Sequence, residues 1–154
     1  MGFPTTTDNG YKLQINGTEK SNQMEIKIIQ GVKREVLEDI FVTALEGGSN
    51  YWYYLPEESI KAIRKAVPKE EDPYLSTAIL KAILDHDVKI AVNDAENEDE
   101  VIGVITRGTM QARLQLLSDS NERWALERHM REEGDAGSAD VVFQYLTMGE
   151  VVYG

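Results

Sequence analysis

Apolar residues recur at spacings of three and four from Val32 onward, at Val32, Val36, Leu37, Ile40, Phe41, Ala44 and Leu45. Lys33, Arg34, Glu35, Glu38 and Asp39 take the other side, so this stretch predicts an amphipathic helix with one buried face. Gly47 follows the last periodic residue, where a helix C-terminus favours glycine. Pro56, with Glu57 and Glu58 behind it, predicts the start of a second helix, with Ile60, Ile63 and Val67 on its apolar side. Asp72-Pro73 reads as N-cap and first turn of a third, carrying Tyr74, Leu75, Ala78, Ile79, Ala82 and Ile83.

The period then changes. Val88 to Val92 and Val101 to Ile105 are short runs rich in β-branched residues on either side of the acidic loop 93–100, which predicts a hairpin with a charged tip. Thr106 is a good N-cap type for a helix through Met110, Leu114 and Leu117. Asp119-Ser120-Asn121 breaks that helix, a charged helix bearing Trp124, Ala125, Arg128 and Met130 follows, and Ser138 is placed to cap a last one carrying Val141, Val142, Tyr145, Leu146 and Met148. At the other end, Tyr11 to Ile15 and Met24 to Ile29 alternate apolar with polar and suit a small hairpin behind an irregular arm. The expectation is residues 1–30 as arm and hairpin, and 31–154 as a single α+β domain, helix-rich with a small antiparallel sheet or hairpins.

Composition narrows the chemistry. The 154 residues include 27 acids against 16 bases, a formal net charge of −11, and no cysteine. The charge repels nucleic-acid phosphate, so direct nucleic-acid binding is not expected, while an acidic surface can occupy a basic groove on another protein. Without thiols there are no disulfides or thiolate metal sites, which fits a reducing cytoplasm. No apolar run is long enough to span a membrane, and the N-terminus carries no secretory signal pattern.

Recognisable cofactor and catalytic motifs are missing too. The acidic loop from Asp94 does not match a calcium-binding loop, because Asp99 stands where glycine is needed and Ile105 where a carboxylate is needed. His86 and His129 lack metal-binding spacing, and neither a phosphate loop nor a Gly-x-Ser-x-Gly elbow occurs. No catalytic residue, metal site or cofactor is therefore expected.

One stretch remains as a candidate site: Glu46, Gly47, Gly48, Ser49, Asn50, Tyr51, Trp52 and Tyr53, with Tyr54 closing the run. The glycines let backbone approach a neighbour or a ligand, and the rings can stack on a base or anchor a protein partner. If extended, the run splits, with Tyr51 and Tyr53 facing one way and Trp52 and Tyr54 the other, so one pair joins the core. Val151-Val152-Tyr153 raises the same question at the C-terminus, where the tail either docks on its own domain or joins a neighbouring subunit.

Three stretches carry a resemblance. Ala44 to Trp52, Leu114-Gln115-Leu116-Leu117, and Ala139 to Gln144 leading to Gly149-Glu150-Val151-Val152-Tyr153-Gly154 are together similar to a family of small uncharacterised proteins of tailed bacteriophages. The resemblance covers residues 32–154 and brings no catalytic residues. It implies a phage product in the host bacterial cytoplasm. With the aromatic stretch, it points to a non-enzymatic accessory protein that binds a small, nucleotide-like ligand or a host protein, with counter-defence as the natural role. The alternative is a structural or assembly protein forming homo-oligomers.

Overall fold

The computed structural model describes residues 24–26 and 28–154. The hairpin expected over residues 11–15 and 24–29 lies largely outside them, and residues 24–26 and 28–30 adopt no regular secondary structure. Residues 32–154 form one α+β unit of six helices and a three-stranded sheet. No helix among the described residues is long and apolar enough to cross a membrane.

Helix α1 (Arg34–Thr43) buries Leu37, Ile40 and Phe41, as its spacing dictates. It does not run as a regular helix to Leu45. Its end widens into a π-helical turn, Ala44–Gly48, where the Ser49 N–H reaches back five residues to the Ala44 carbonyl at 2.8 Å. Such single wide turns re-aim the chain that follows. Gly48 is what the turn requires, because a Cβ there would lie 2.6 Å from the Ala136 carbonyl oxygen.

Strand β1 (Tyr53–Tyr54) is short, and helix α2 (Glu57–Ala66) starts directly after Pro56. Helix α3 spans Leu75–His86, two residues later than the Asp72-Pro73 signal suggests. Asp72 still serves the helix start: its carboxylate accepts from the Tyr74 N–H at 3.1 Å and the Thr77 hydroxyl at 2.6 Å. These donors and Lys81 hold its pKa below the usual carboxylate value despite burial. A two-pronged Arg34–Asp85 contact, at 2.8 and 2.7 Å, ties α1 to the end of α3.

Strands β2 (Ile90–Asp94) and β3 (Val101–Ile105) form the expected hairpin, with β2 two residues later than its β-branched run indicates. Lys89 is exposed, whereas Ile90 and Ile105 stand opposite each other and are both buried, and buried Val92 stands opposite Gly103. Asn93 and Asp94 also pair, on the other edge, with Tyr54 and Tyr53 of β1, giving the antiparallel order β1-β2-β3.

Thr106 caps α4 (Arg107–Ser118) through a reciprocal bond with Thr109. Helix α5 (Arg123–Met130) follows, then α6 (Ala136–Met148). Asp135, not Ser138, caps α6. Its carboxylate accepts the Ser138 N–H at 2.8 Å, while the Ser138 hydroxyl accepts the Asp135 N–H at 2.8 Å. Helix α6 touches α1, α4, α5, the π-helical turn and β3, and nine of its 13 residues are buried. A helix enclosed on nearly every side cannot expose its polar residues. Ser138, Asp140, Gln144 and Thr147 are all among the buried ones.

The two adjacent glycines should therefore respond differently. Gly48→Ala is expected to lower unfolding stability by about 1–3 kcal/mol through overpacking against Ala136. Gly47→Ala, with nothing within 4 Å of its added Cβ, should stay within about 0.5 kcal/mol of the parent. Urea denaturation of the two variants checks the pair, and equal losses would contradict the assigned contact.

Candidate functional site

Buried polar groups must find partners or cost stability. Asp140 finds four. The Ser49 hydroxyl donates to Oδ1 at 2.8 Å and the Trp52 indole N–H to the same oxygen at 2.7 Å. The Tyr51 hydroxyl donates to Oδ2 at 2.5 Å and the Gln144 amide at 3.2 Å. Charge-assisted bonds of this kind are short and strong. The π-helical turn makes them reachable, since it carries the chain across the N-terminal part of α6.

Gln144 lies one helical turn beyond Asp140 and holds the C-terminal tail. Its side-chain oxygen accepts the N–H groups of Val152 at 2.8 Å and Tyr153 at 2.9 Å, and its amide donates to the Tyr153 carbonyl at 3.1 Å. The Tyr153 ring stacks on Trp52, centroids 5.4 Å apart and planes 9° from parallel. Trp52 also packs against Phe143, which meets Phe41 and Tyr53 edge-on. The tail thus docks on its own domain.

The eight residues of the candidate stretch separate accordingly. Trp52 is 1% exposed and belongs to the core, and Ser49 is fully buried. Gly48 faces the Ala136 backbone. Tyr53 is half-buried, its hydroxyl donating to the Leu45 carbonyl at 2.6 Å. Glu46 is exposed and accepts the Ser76 hydroxyl at 2.6 Å. Gly47 and Asn50 are exposed, and Tyr51 is 51% exposed. The simple two-faced alternation fails at Tyr51 and Trp52 because they lie in a turn, with the Trp52 N–H bonded to the Ser49 carbonyl at 3.1 Å.

A second constellation, with His129 and Ser138 buried and Asp39 exposed, was not legible in the sequence. His129 Nδ1 lies 2.8 Å from Asp39 Oδ2, and Nε2 lies 2.9 Å from the Ser138 hydroxyl. Serine, histidine and carboxylate in that order have the spacing of a nucleophile, its base and the group that orients the base. Ser138 is 0% exposed, and its hydroxyl already closes the cap of α6. A substrate has no approach to it, and the trio instead ties α1, α5 and α6 together. Asp140 left a faint signal: a lone acid at the start of an apolar run, four residues before Gln144 and on its face.

No group of three or more acidic or histidine side chains among the described residues is placed to hold a metal ion. A shallow depression of about 370 Å³ is lined by Asp119, Ser120, Asn121, Arg123, Trp124 and Glu127, none from the candidate stretch. Comparison with family models, curated proteins and solved structures finds no match to this chain.

Two tyrosines carry a pH signature. Tyr51 is pushed from the ordinary 10.0 up to about 12 by burial of its hydroxyl end, with the Asp140 carboxylate adding to the effect. Tyr53 also rises to about 12, through burial first and then the charge of Glu46. A folded-state value above the unfolded one contributes stability that is whole below about pH 10 and is lost as pH rises towards 12. Denaturation midpoints should fall across that window, and Tyr51→Phe should reduce the fall. An unchanged slope in that variant would contradict the shift. Separately, Ser138→Ala removes a capping group and strands the His129 Nε2 atom. It should lower stability by about 1–3 kcal/mol in chemical denaturation, and a neutral result would show that the trio is not a tie.

Proposed function

We propose that the protein is a non-enzymatic binding protein that docks on another protein through the surface formed by Glu46, Gly47, Asn50 and Tyr51. The observation that carries this reading is the state of Tyr51. Half of its surface is in solvent, while its hydroxyl is fixed by Asp140 at 2.5 Å. A tyrosine ordered before binding loses little conformational freedom on association, and such rings are frequent anchors of protein contacts. Asn50 and the Glu46 carboxylate flank it with polar groups suited to a rim.

A nucleotide-like ligand draws less support. Trp52 and Ser49 are turned inward and Tyr53 is half-buried, so Tyr51 is the one freely exposed ring of this stretch. Assembly into homo-oligomers also loses its strongest motivation, because Tyr153 already packs within its own chain. In the phage setting that the resemblance implies, the partner is a host protein and counter-defence is the role.

A photo-crosslinking amino acid in place of Asn50, in bacterial cells producing the protein, tests the reading. The expected result is an adduct with a host protein that disappears in Tyr51→Ala. Self-adducts alone would favour assembly. Absence of adducts together with stabilisation by a nucleotide would favour the small ligand, and either outcome overturns the proposal.

A further inference from the structure

Helix α6 ends at Gly149, whose φ of 82° is a left-handed turn that sends the chain back along the helix. Residues 150–154 follow, with the Tyr153 ring over Trp52, and form no backbone-to-backbone hydrogen bond among the described residues. Their backbone is held through the Gln144 side chain, which takes two N–H groups and one carbonyl. One ring is recognised, Tyr153, which stacks on Trp52 and whose hydroxyl lies 3.5 Å from Asp94 Oδ2. The Val152 side chain is 54% exposed and contributes little beyond its N–H.

We propose that this cleft, walled by Trp52 and read by Gln144, is a recognition site for a segment of a partner protein that carries a tyrosine and turns two successive N–H groups to one side, and that the chain's own residues 150–154 fill it as a displaceable strap. The proposal rests on the docking reading above and names the kind of segment the partner offers. One amide side chain that takes two successive N–H groups and a carbonyl recognises a turned backbone and its register without reading most side chains. The stack supplies the one specific pocket. The site stays built when the strap leaves, because Asp140 holds both Gln144 and Trp52 from behind. Leaving breaks no helix or sheet ladder, so it belongs to the low-energy openings of the fold. The site adjoins Tyr51: the Gln144 amide lies 3.4 Å from the Tyr51 hydroxyl. A segment in the cleft and the rest of its protein on Tyr51 would together compete with a tethered strap whose local concentration is on the order of millimolar.

The test uses the full chain carrying Tyr153→Ala, which empties the ring pocket, with Trp124→Phe so that Trp52 is the remaining tryptophan and is excited selectively at the red edge of aromatic absorption. The probe is a synthetic peptide of residues 149–154. Saturable change in Trp52 emission is expected up to about 5 mM peptide. Replacing the peptide's tyrosine by alanine should abolish the response, and adding Gln144→Ala should weaken it about tenfold or more. No saturable response in a variant shown to be folded by circular dichroism overturns the proposal. Should that variant not fold, amide exchange in the unaltered protein decides. Val152 and Tyr153 exchanging faster than the centre of α6 supports the strap, and equal rates overturn it. A surviving Asn50 crosslink to a host protein beside a failed peptide titration would sink the strap alone and leave the docking surface standing.

Discussion

A single buried carboxylate organises this molecule. Asp140 accepts from Ser49, Tyr51, Trp52 and Gln144, two donors to each oxygen. Taking a carboxylate out of water costs several kcal/mol unless its lone pairs are met. The chain meets them with side chains from one hook, the stretch Ala44–Trp52, and from α6 itself. That requirement decides which rings go where. Satisfying Oδ1 draws the Trp52 indole into the core, and satisfying Oδ2 leaves the Tyr51 ring half in solvent with its hydroxyl fixed.

The other special features follow from the same demand. The π-helical turn and the close approach of Gly48 to Ala136 bring the hook within reach of α6. Gln144 shares Oδ2 and uses its remaining groups for the tail, and the tail's tyrosine covers the face of Trp52. The Ser138–His129–Asp39 trio pins the start of the same helix to α1 and α5. Scaffold and surface are therefore divided within one short stretch. Ser49 and Trp52 are buried within the fold, while Glu46, Gly47, Asn50 and Tyr51 are exposed.

Much of the architecture was legible in the residues. The period of α1, the proline before α2, the two runs around the acidic loop and Thr106 before α4 each identify an element from local chemistry. What escaped depends on contacts distant in sequence. The wide turn at Ala44–Gly48 cannot be told from an ordinary glycine-ended helix without the α6 backbone beside it. Strand β2 extends to Asp94 because Tyr53 and Tyr54 pair with its polar end, which reads as loop by composition. Asp140 and His129 looked like ordinary helix residues, and their partners lie about 90 positions away. The Ser49–Trp52 turn, the Asp140–Gln144 segment and the tail turn out to be parts of one network.

The most direct test is a double-mutant cycle between Asp140→Val and Ser49→Ala, followed by chemical denaturation. With Asp140 present, Ser49→Ala removes a satisfied buried bond and should cost about 1–2 kcal/mol. With Asp140 replaced by valine the Ser49 hydroxyl is already stranded, so its removal should cost little, leaving a coupling of at least about 1 kcal/mol. Equal costs in the two backgrounds, within about 0.3 kcal/mol, would mean that Asp140 does not organise the hook.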